Sequence, residues 1–217
     1  TAHLKKGLIE KELKYGLTKR DYQKLMRACR KKVRFQNEHL NCYFDDPKLK
    51  LRKKKYGLRV RIVDGKKAYI TLKHPARSGR KAVRTLKVRH EYEVPVSYKL
   101  AKAIIKGKKP VMDLRSMPVQ VLRSAFSKEA LQRIRPLGTI RTLRTVVEAN
   151  GGSLELEIDK FKLFGHSYYE LEVETIRPKR ADQVVRWLFK ENNIPYHPIT
   201  KSKLGRFIEE WKKSRHD

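Results

Sequence analysis

Several short segments of this chain place a charged residue at every second position. Glu10-Lys11-Glu12-Leu13-Lys14 reads E-x-E-x-K. Successive side chains of a β-strand point to opposite faces, so Glu10, Glu12 and Lys14 share one face and Ile9 and Leu13 the other. The pattern returns in 153–159, where Glu155, Glu157 and Asp159 oppose Leu154, Leu156 and Ile158. In 169–174, Glu170, Glu172 and Glu174 oppose Leu171 and Val173, and in 90–94 Glu91 and Glu93 repeat it. Basic strands complement these acidic ones. Arg59 and Arg61 align opposite Leu58, Val60 and Ile62, and the segment ending at Lys73 closes a hairpin turned by Asp64-Gly65. A period of two is a strand signal, not a helical one.

Acid-rich and base-rich faces on different strands constrain the fold. The cheapest arrangement curls the sheet into a barrel, with charges inward and apolar faces outward under helices. The expected class is α+β: an eight-stranded antiparallel closed β-tunnel with a charged interior and flanking helices. Strands are expected at 7–15, 37–44, 57–63, 67–74, 85–94, 137–147, 152–160 and 167–175. Asn150-Gly151 and a loop around Gly165 turn the last three. Thr18 caps a helix over 18–32. A helical insert fills 97–135, its helices opened by Ser97, by Ser116 with Pro118, and by Ser127. Residues 75–84 read as a basic loop, and two helices, 181–192 and 201–214, end the chain. All 217 residues are expected to form a single domain. Outer-membrane barrels share the polarity but lack such helices.

Composition narrows the partners. There are 54 Lys and Arg against 23 Asp and Glu, a formal net charge of +31. Ten of those acids lie in the alternating segments, leaving thirteen for everything else. The remaining surface is therefore strongly positive and attracts polyanions, RNA or polyphosphate among them. Two cysteines, Cys29 and Cys42, lack metal-ligand spacing and read as reduced thiols of an intracellular protein. No apolar run approaches a membrane span, and no secretory h-region opens the chain. The expected setting is cytoplasmic, with an organelle or a ribonucleoprotein particle as alternatives.

The motifs taken together resemble the CYTH-domain, or triphosphate tunnel metalloenzyme, family. The resemblance runs through E-x-E-x-K, Asn41 to Asp45 with Leu51-Arg52, Leu58 to Arg61, and Thr71 to Lys73. It continues through Glu91 to Glu93, Arg141 to Arg144, Leu156 to Asp159, Tyr169 to Glu174, and Ser202-Lys203. It implies a tunnel that binds a triphosphate with one or two divalent cations. Carried over, Glu10, Glu12, Asp159, Glu172 and Glu174 would hold Mg²⁺ or Mn²⁺. Lys14, Arg59, Arg61, Lys73, Arg144 and Lys203 would grip phosphate oxygens. Glu10, Glu12 and Lys14 would be the residues central to catalysis. Glu91, Glu93, Glu155, Glu157 and Glu170 would stand behind the ligands, or else form structural ion pairs across the tunnel. Arg141, of opposite parity to Arg144, is expected to face outward.

The implied reaction is metal-dependent hydrolysis of the terminal phosphate of inorganic triphosphate, a nucleotide, thiamine triphosphate or an RNA 5′-triphosphate. Two alternatives stand beside it. One is a class IV-type adenylate cyclase. The other is an RNA-binding or ribosome-associated structural module that retains the tunnel fold, suggested by the positive exterior.

Overall fold

A computed structural model describes residues 7–76 and 83–213. Its eight strands are β1 (Leu8–Leu17), β2 (Val33–Asp45), β3 (Gly57–Val63), β4 (Lys67–Pro75), β5 (Lys87–Val96), β6 (Arg135–Ala149), β7 (Leu154–Leu163) and β8 (His166–Glu174). They close into an antiparallel barrel in the order β1-β5-β4-β3-β2-β6-β7-β8. The expected closed β-tunnel is the fold observed. Among the described residues the helices are α1 (Lys19–Cys29), α2 (Lys50–Lys53), α3 (Tyr98–Ile105), α4 (Met117–Ala125), α5 (Lys128–Gln132), α6 (Pro178–Glu191) and α7 (Lys203–Lys213).

Local chemistry sets the element ends. Thr18 accepts the Asp21 N–H at 3.1 Å, Ser97 that of Leu100 and Ser127 that of Ala130, each satisfying a donor the helix cannot. Asp64-Gly65 and Asn150-Gly151 both take positive φ at their two residues, as tight hairpin turns require. Several boundaries differ from expectation. Pro95 and Pro136 lie inside β5 and β6 rather than ending or preceding them. Both sit within two residues of a strand end, where a missing N–H costs little. Strand β2 begins at Val33, four residues earlier than expected. Of the expected basic loop, residues 77–82 lie outside the described residues.

The chain divides into two compact units. The first holds residues 7–9, 38–76 and 89–141 of those described. Here Leu58, Val60, Ile62, Ile70 and Leu72 pack one sheet face on Ala101, Ile104, Val119 and Leu122 of the helical insert. The second holds residues 10–37, 83–88 and 142–213. Its sheet packs Leu13, Tyr15, Leu156, Ile158, Leu171 and Val173 against Leu25 and Cys29 of α1 and Val185 and Phe189 of α6. Each buried Leu, Ile, Val or Phe among them contributes about 1.5–3 kcal/mol by leaving water. In both units the helices cover the apolar face, so the charged face is the barrel's lining.

Asp182 ties the second unit together. Its carboxylate accepts Tyr15 Oη–H at 2.7 Å, Tyr196 Oη–H at 2.5 Å and Arg186 Nε–H at 2.8 Å. Asp45 plays a similar part in the first, accepting the N–H groups of Asp46, Leu51 and Arg52 at 2.8–2.9 Å. That contact is the physical content of the Asp45/Leu51-Arg52 motif.

Candidate active site

Strand register decides which charges meet. In the second unit Lys14 lies opposite Glu172, Asp159 opposite Glu170, and Arg144 opposite Asp159. Directly opposed residues share a face, so four strands deliver charges to one place. A fifth arrival comes from α7, whose first residue is Lys203. The segment before that helix runs along β1, with Gly16 N–H bonded to His197 O at 2.9 Å and Ile199 N–H to Lys14 O at 2.8 Å. That path carries Lys203 to the cluster although the helix itself is remote in sequence.

The result is a dense, buried lattice of opposite charges. Carboxylate oxygens of Asp159, Glu170 and Glu172 lie within 4.8 Å of one another, and all three residues are buried. Lys203 Nζ stands 2.7 Å from Asp159 and 2.8 Å from Glu172, and closely pairs with Glu170. Arg144 makes two hydrogen bonds to Asp159, at 2.8 and 2.6 Å, and one to Glu172 at 2.5 Å, and pairs with Glu157. Lys14 Nζ pairs with Glu172, lies 3.2 Å from Glu170 and 3.7 Å from Glu12.

Titration follows from this crowding. Burial alone would raise Glu172, but Lys14, Lys203 and Arg144 outweigh it and hold the carboxyl well below its ordinary range. Burial opposes charge on Lys14, Lys203 and Arg144, yet the surrounding carboxylates raise all three. They stay protonated at any physiological pH. Glu157 goes the other way. Burial pushes it up to about 7, with Arg144 opposing and Glu172, Glu174 and Asp159 adding repulsion.

The donor set fits a hard divalent cation. Clustered carboxylate oxygens are what Mg²⁺ and Mn²⁺ prefer. On this face Glu10, Glu12, Glu157, Asp159, Glu170, Glu172 and Glu174 outnumber Lys14, Lys87, Arg144 and Lys203. A bound cation would relieve that excess.

The first unit presents a charged face too. Arg59 Nη2 lies 3.8 Å from both Glu91 and Glu93, and Lys73 Nζ 3.5 Å from Glu91. Arg61 Nε donates to Asn41 Oδ1 at 3.1 Å, and Thr71 Oγ1 to Glu93 Oε2 at 2.8 Å. Arg59, Arg61 and Lys73 are half-buried.

The candidate residues therefore separate by depth. Glu10 and Glu12 are buried on β1. Glu170, expected behind the ligands or in a cross-tunnel pair, stands within the carboxylate cluster itself. Glu174 is exposed at the end of β8. Glu155 is exposed and pairs with Arg34 at 2.6 Å, an ion pair at the strand end rather than across the tunnel. Arg141 is 71% exposed and pairs with Glu38, outward as its parity indicates. Reading the sequence missed Lys87, which lies 4.0 Å from Glu12 on β5. Its signal was present, because Lys87, Arg89, Glu91 and Glu93 alternate. Thr71 and Asn41 lie within the resemblance motifs but carry no assigned role there, since neither is charged.

Comparison with known proteins gives this arrangement its family. The CYTH domain model matches residues 8–208. The chain belongs to the CYTH family. A search of curated proteins by sequence found no match. Among solved structures, the chain is similar to an adenylyl cyclase candidate from Hippeastrum with a dominant triphosphatase activity. That likeness has a TM-score of 0.77 and 23% identity, over 93% of this chain and 96% of the other. An adenylate cyclase candidate from Bacillus halodurans aligns with a TM-score of 0.74 and 21% identity, over 90% and 95%. A Pyrococcus horikoshii protein gives 0.58 and 18%, over 93% and 99%. At these identities the neighbours establish the fold. Among the described residues, no helix is long and apolar enough to cross a membrane.

Proposed function

We propose that this CYTH protein is a divalent-metal-dependent triphosphate hydrolase that releases the terminal phosphate. The observation that carries the reading is the buried union of Asp159, Glu170 and Glu172 with Lys14, Arg144 and Lys203. Packing so many charges away from water is costly, and apolar residues of the same volume would stabilise the fold as well or better. Such an arrangement has its use when a highly charged ligand enters.

In this reading Asp159, Glu170 and Glu172, with Glu10 and Glu12, hold Mg²⁺ or Mn²⁺, and Glu174 completes the set at the rim. The metal, when bound, supplies a Lewis acid on the phosphate oxygens. The chain's cations do the rest. Lys14, Arg144 and Lys203 exchange part of their carboxylate contacts for phosphate oxygens, and Arg59, Arg61 and Lys73 add further contacts. Together they neutralise a polyanion that would otherwise repel an attacking water. Water adds to the terminal phosphorus as the bond to the bridging oxygen breaks, giving orthophosphate and a diphosphate. Glu91, Glu93 and Glu157 orient the cations beside them.

The substrate is inorganic triphosphate, a nucleotide or an RNA 5′-triphosphate, and a net charge of +31 favours substrates attached to a polyanion. An intracellular setting belongs to the same proposal, since Cys29 and Cys42 are both buried free thiols. The adenylate-cyclase reading shares the clamp but breaks the bond between the α- and β-phosphates. Phosphorus NMR of products from inorganic triphosphate, ATP and 5′-triphosphorylated RNA, with Mg²⁺, Mn²⁺ or EDTA, separates these outcomes. Metal-dependent orthophosphate with a diphosphate product is expected. Pyrophosphate with a cyclic nucleotide would establish the cyclase, and folded protein with no product would favour the structural module.

A further inference from the structure

The hydrolase reading leaves the helical insert and its charge unexplained. Residues 97–135 hold ten Lys and Arg against two acids, Asp113 and Glu129. All twelve of these charged residues are exposed. None of the ten cations is therefore spent on the barrel's interior. The basic run 48–55 adjoins them: Lys54 Nζ lies 4.9 Å above the Phe126 ring, and Lys50 acts electrostatically on Glu129. The two basic segments therefore meet around Phe126 and Glu129, within the first unit.

Beside Phe126 lies a groove of about 770 Å³. Its floor is apolar, with Phe44, Ile104, Val111, Leu131 and Ile134 all buried. Its rim is cationic, with Lys109, Arg123, Lys128 and Arg135. Phe126 lines it half-buried and continues into a row of rings, meeting Tyr56 edge-on at 5.1 Å, which stacks on His74 at 5.2 Å. Cations spaced around an apolar, aromatic cleft match a strand whose phosphates run outside and whose bases turn inward. A lipid surface fits less well. The apolar faces of α3 and α4 are buried under the sheet, and the exposed large apolar side chains on these two helices, Tyr98 and Met117, are too few to form an insertion face. Duplex would offer phosphates to the rim but no free base to the groove. RNA commonly presents unpaired, unstacked bases in its loops, bulges and ends.

We propose that the face formed by residues 48–55 and the helical insert docks single-stranded RNA, with a base seated in the groove beside Phe126. The proposal does not depend on hydrolysis, so its test uses RNA without a 5′-triphosphate in metal-free buffer. Anisotropy of a fluorescein-labelled oligouridine of about 20 nucleotides is measured against salt. The triple variant Lys108→Glu, Lys109→Glu, Lys128→Glu should weaken binding about tenfold or more. It should also shrink the slope of log affinity against log salt by about 2. A matched variant elsewhere, Lys162→Glu, Lys179→Glu, Lys212→Glu, has the same net charge and should lose far less. Phe126→Leu should cost about fivefold or more toward oligouridine while leaving long-chain polyphosphate binding unchanged. Thermal melts establish that each variant is folded. Equal losses in the two triple variants would overturn the proposal, because net charge alone would then govern binding. Equal affinity for duplex and single strand, or an indifferent Phe126→Leu, would overturn the seated base.

Discussion

Lys14 and Lys11 differ by three positions on one strand and by everything in their surroundings. Lys14 is buried among Glu12, Glu170 and Glu172, whereas Lys11 lies on the opposite face. Replacing Lys11 with Ala should leave hydrolysis within about twofold of the parent. Lys14→Met should lower kcat/KM by at least about 100-fold. Equal losses in a phosphate-release assay would contradict the assignment of faces. Glu12→Gln, nearly isosteric, should cost at least about 100-fold in metal-dependent turnover, since partners merely behind a metal ligand already cost about 10–100-fold. Glu157 gives a pH test. Its folded pKa is raised from 4.5 to about 7, so between those values the folded protein holds a proton the unfolded chain has lost. Stability of the metal-free protein should therefore fall as pH rises from about 4.5 to about 7. Urea unfolding across that window should show the fall flattened in Glu157→Gln. Parity in the sequence names the face of every such residue but not its depth. Glu155, Glu157 and Asp159 share one face, yet the first is exposed against Arg34 and the last is fully buried. Glu170 joins the carboxylate cluster because register sets it opposite Asp159, and register between strands is not written in either strand alone.

At the scale of elements, the site depends on parts that never touch it. Asp182 on α6 accepts hydrogen bonds from Tyr15 on β1 and Tyr196 in the segment leading to α7. Tyr15 adjoins Lys14, and that segment delivers Lys203. Asp182→Asn keeps the size but loses the charge that three donors share. It should destabilise the protein by about 1.5–3 kcal/mol, or roughly 3–12 °C in Tm at about 2–4 °C per kcal/mol. An unchanged melting temperature would show that the hub is not stabilising. Strands and hairpin turns were the most legible elements, because period two and the Asp64-Gly65 and Asn150-Gly151 turns report local geometry directly. Prolines misled at Pro95 and Pro136. A proline excludes a residue from central ladder positions, but near strand ends its partner pattern, not its identity, decides. Lys203 was placed by family resemblance. Its approach along β1 rests on backbone bonds from Gly16 and Ile199 that leave no sequence pattern.

For the whole molecule, charge distribution is the organising fact. Acids gather on the lining of a closed antiparallel barrel, and lysines and arginines cover the helices. The alternation of charge and apolar residue made that barrel legible, since a closed barrel shelters both kinds of face at once. The division between inner and outer cations was legible only in outline, because a lysine in a helix and a lysine on a strand look alike in composition. In the proposed function the inner charges serve a metal-bound triphosphate. Its most direct test is orthophosphate release from inorganic triphosphate as Mn²⁺ or Mg²⁺ is titrated, for the parent protein and Glu172→Gln together. Release should saturate with metal, vanish in EDTA and fall at least about 100-fold in Glu172→Gln, with both proteins folded. Release that ignores EDTA, or a fully active Glu172→Gln, would contradict that function.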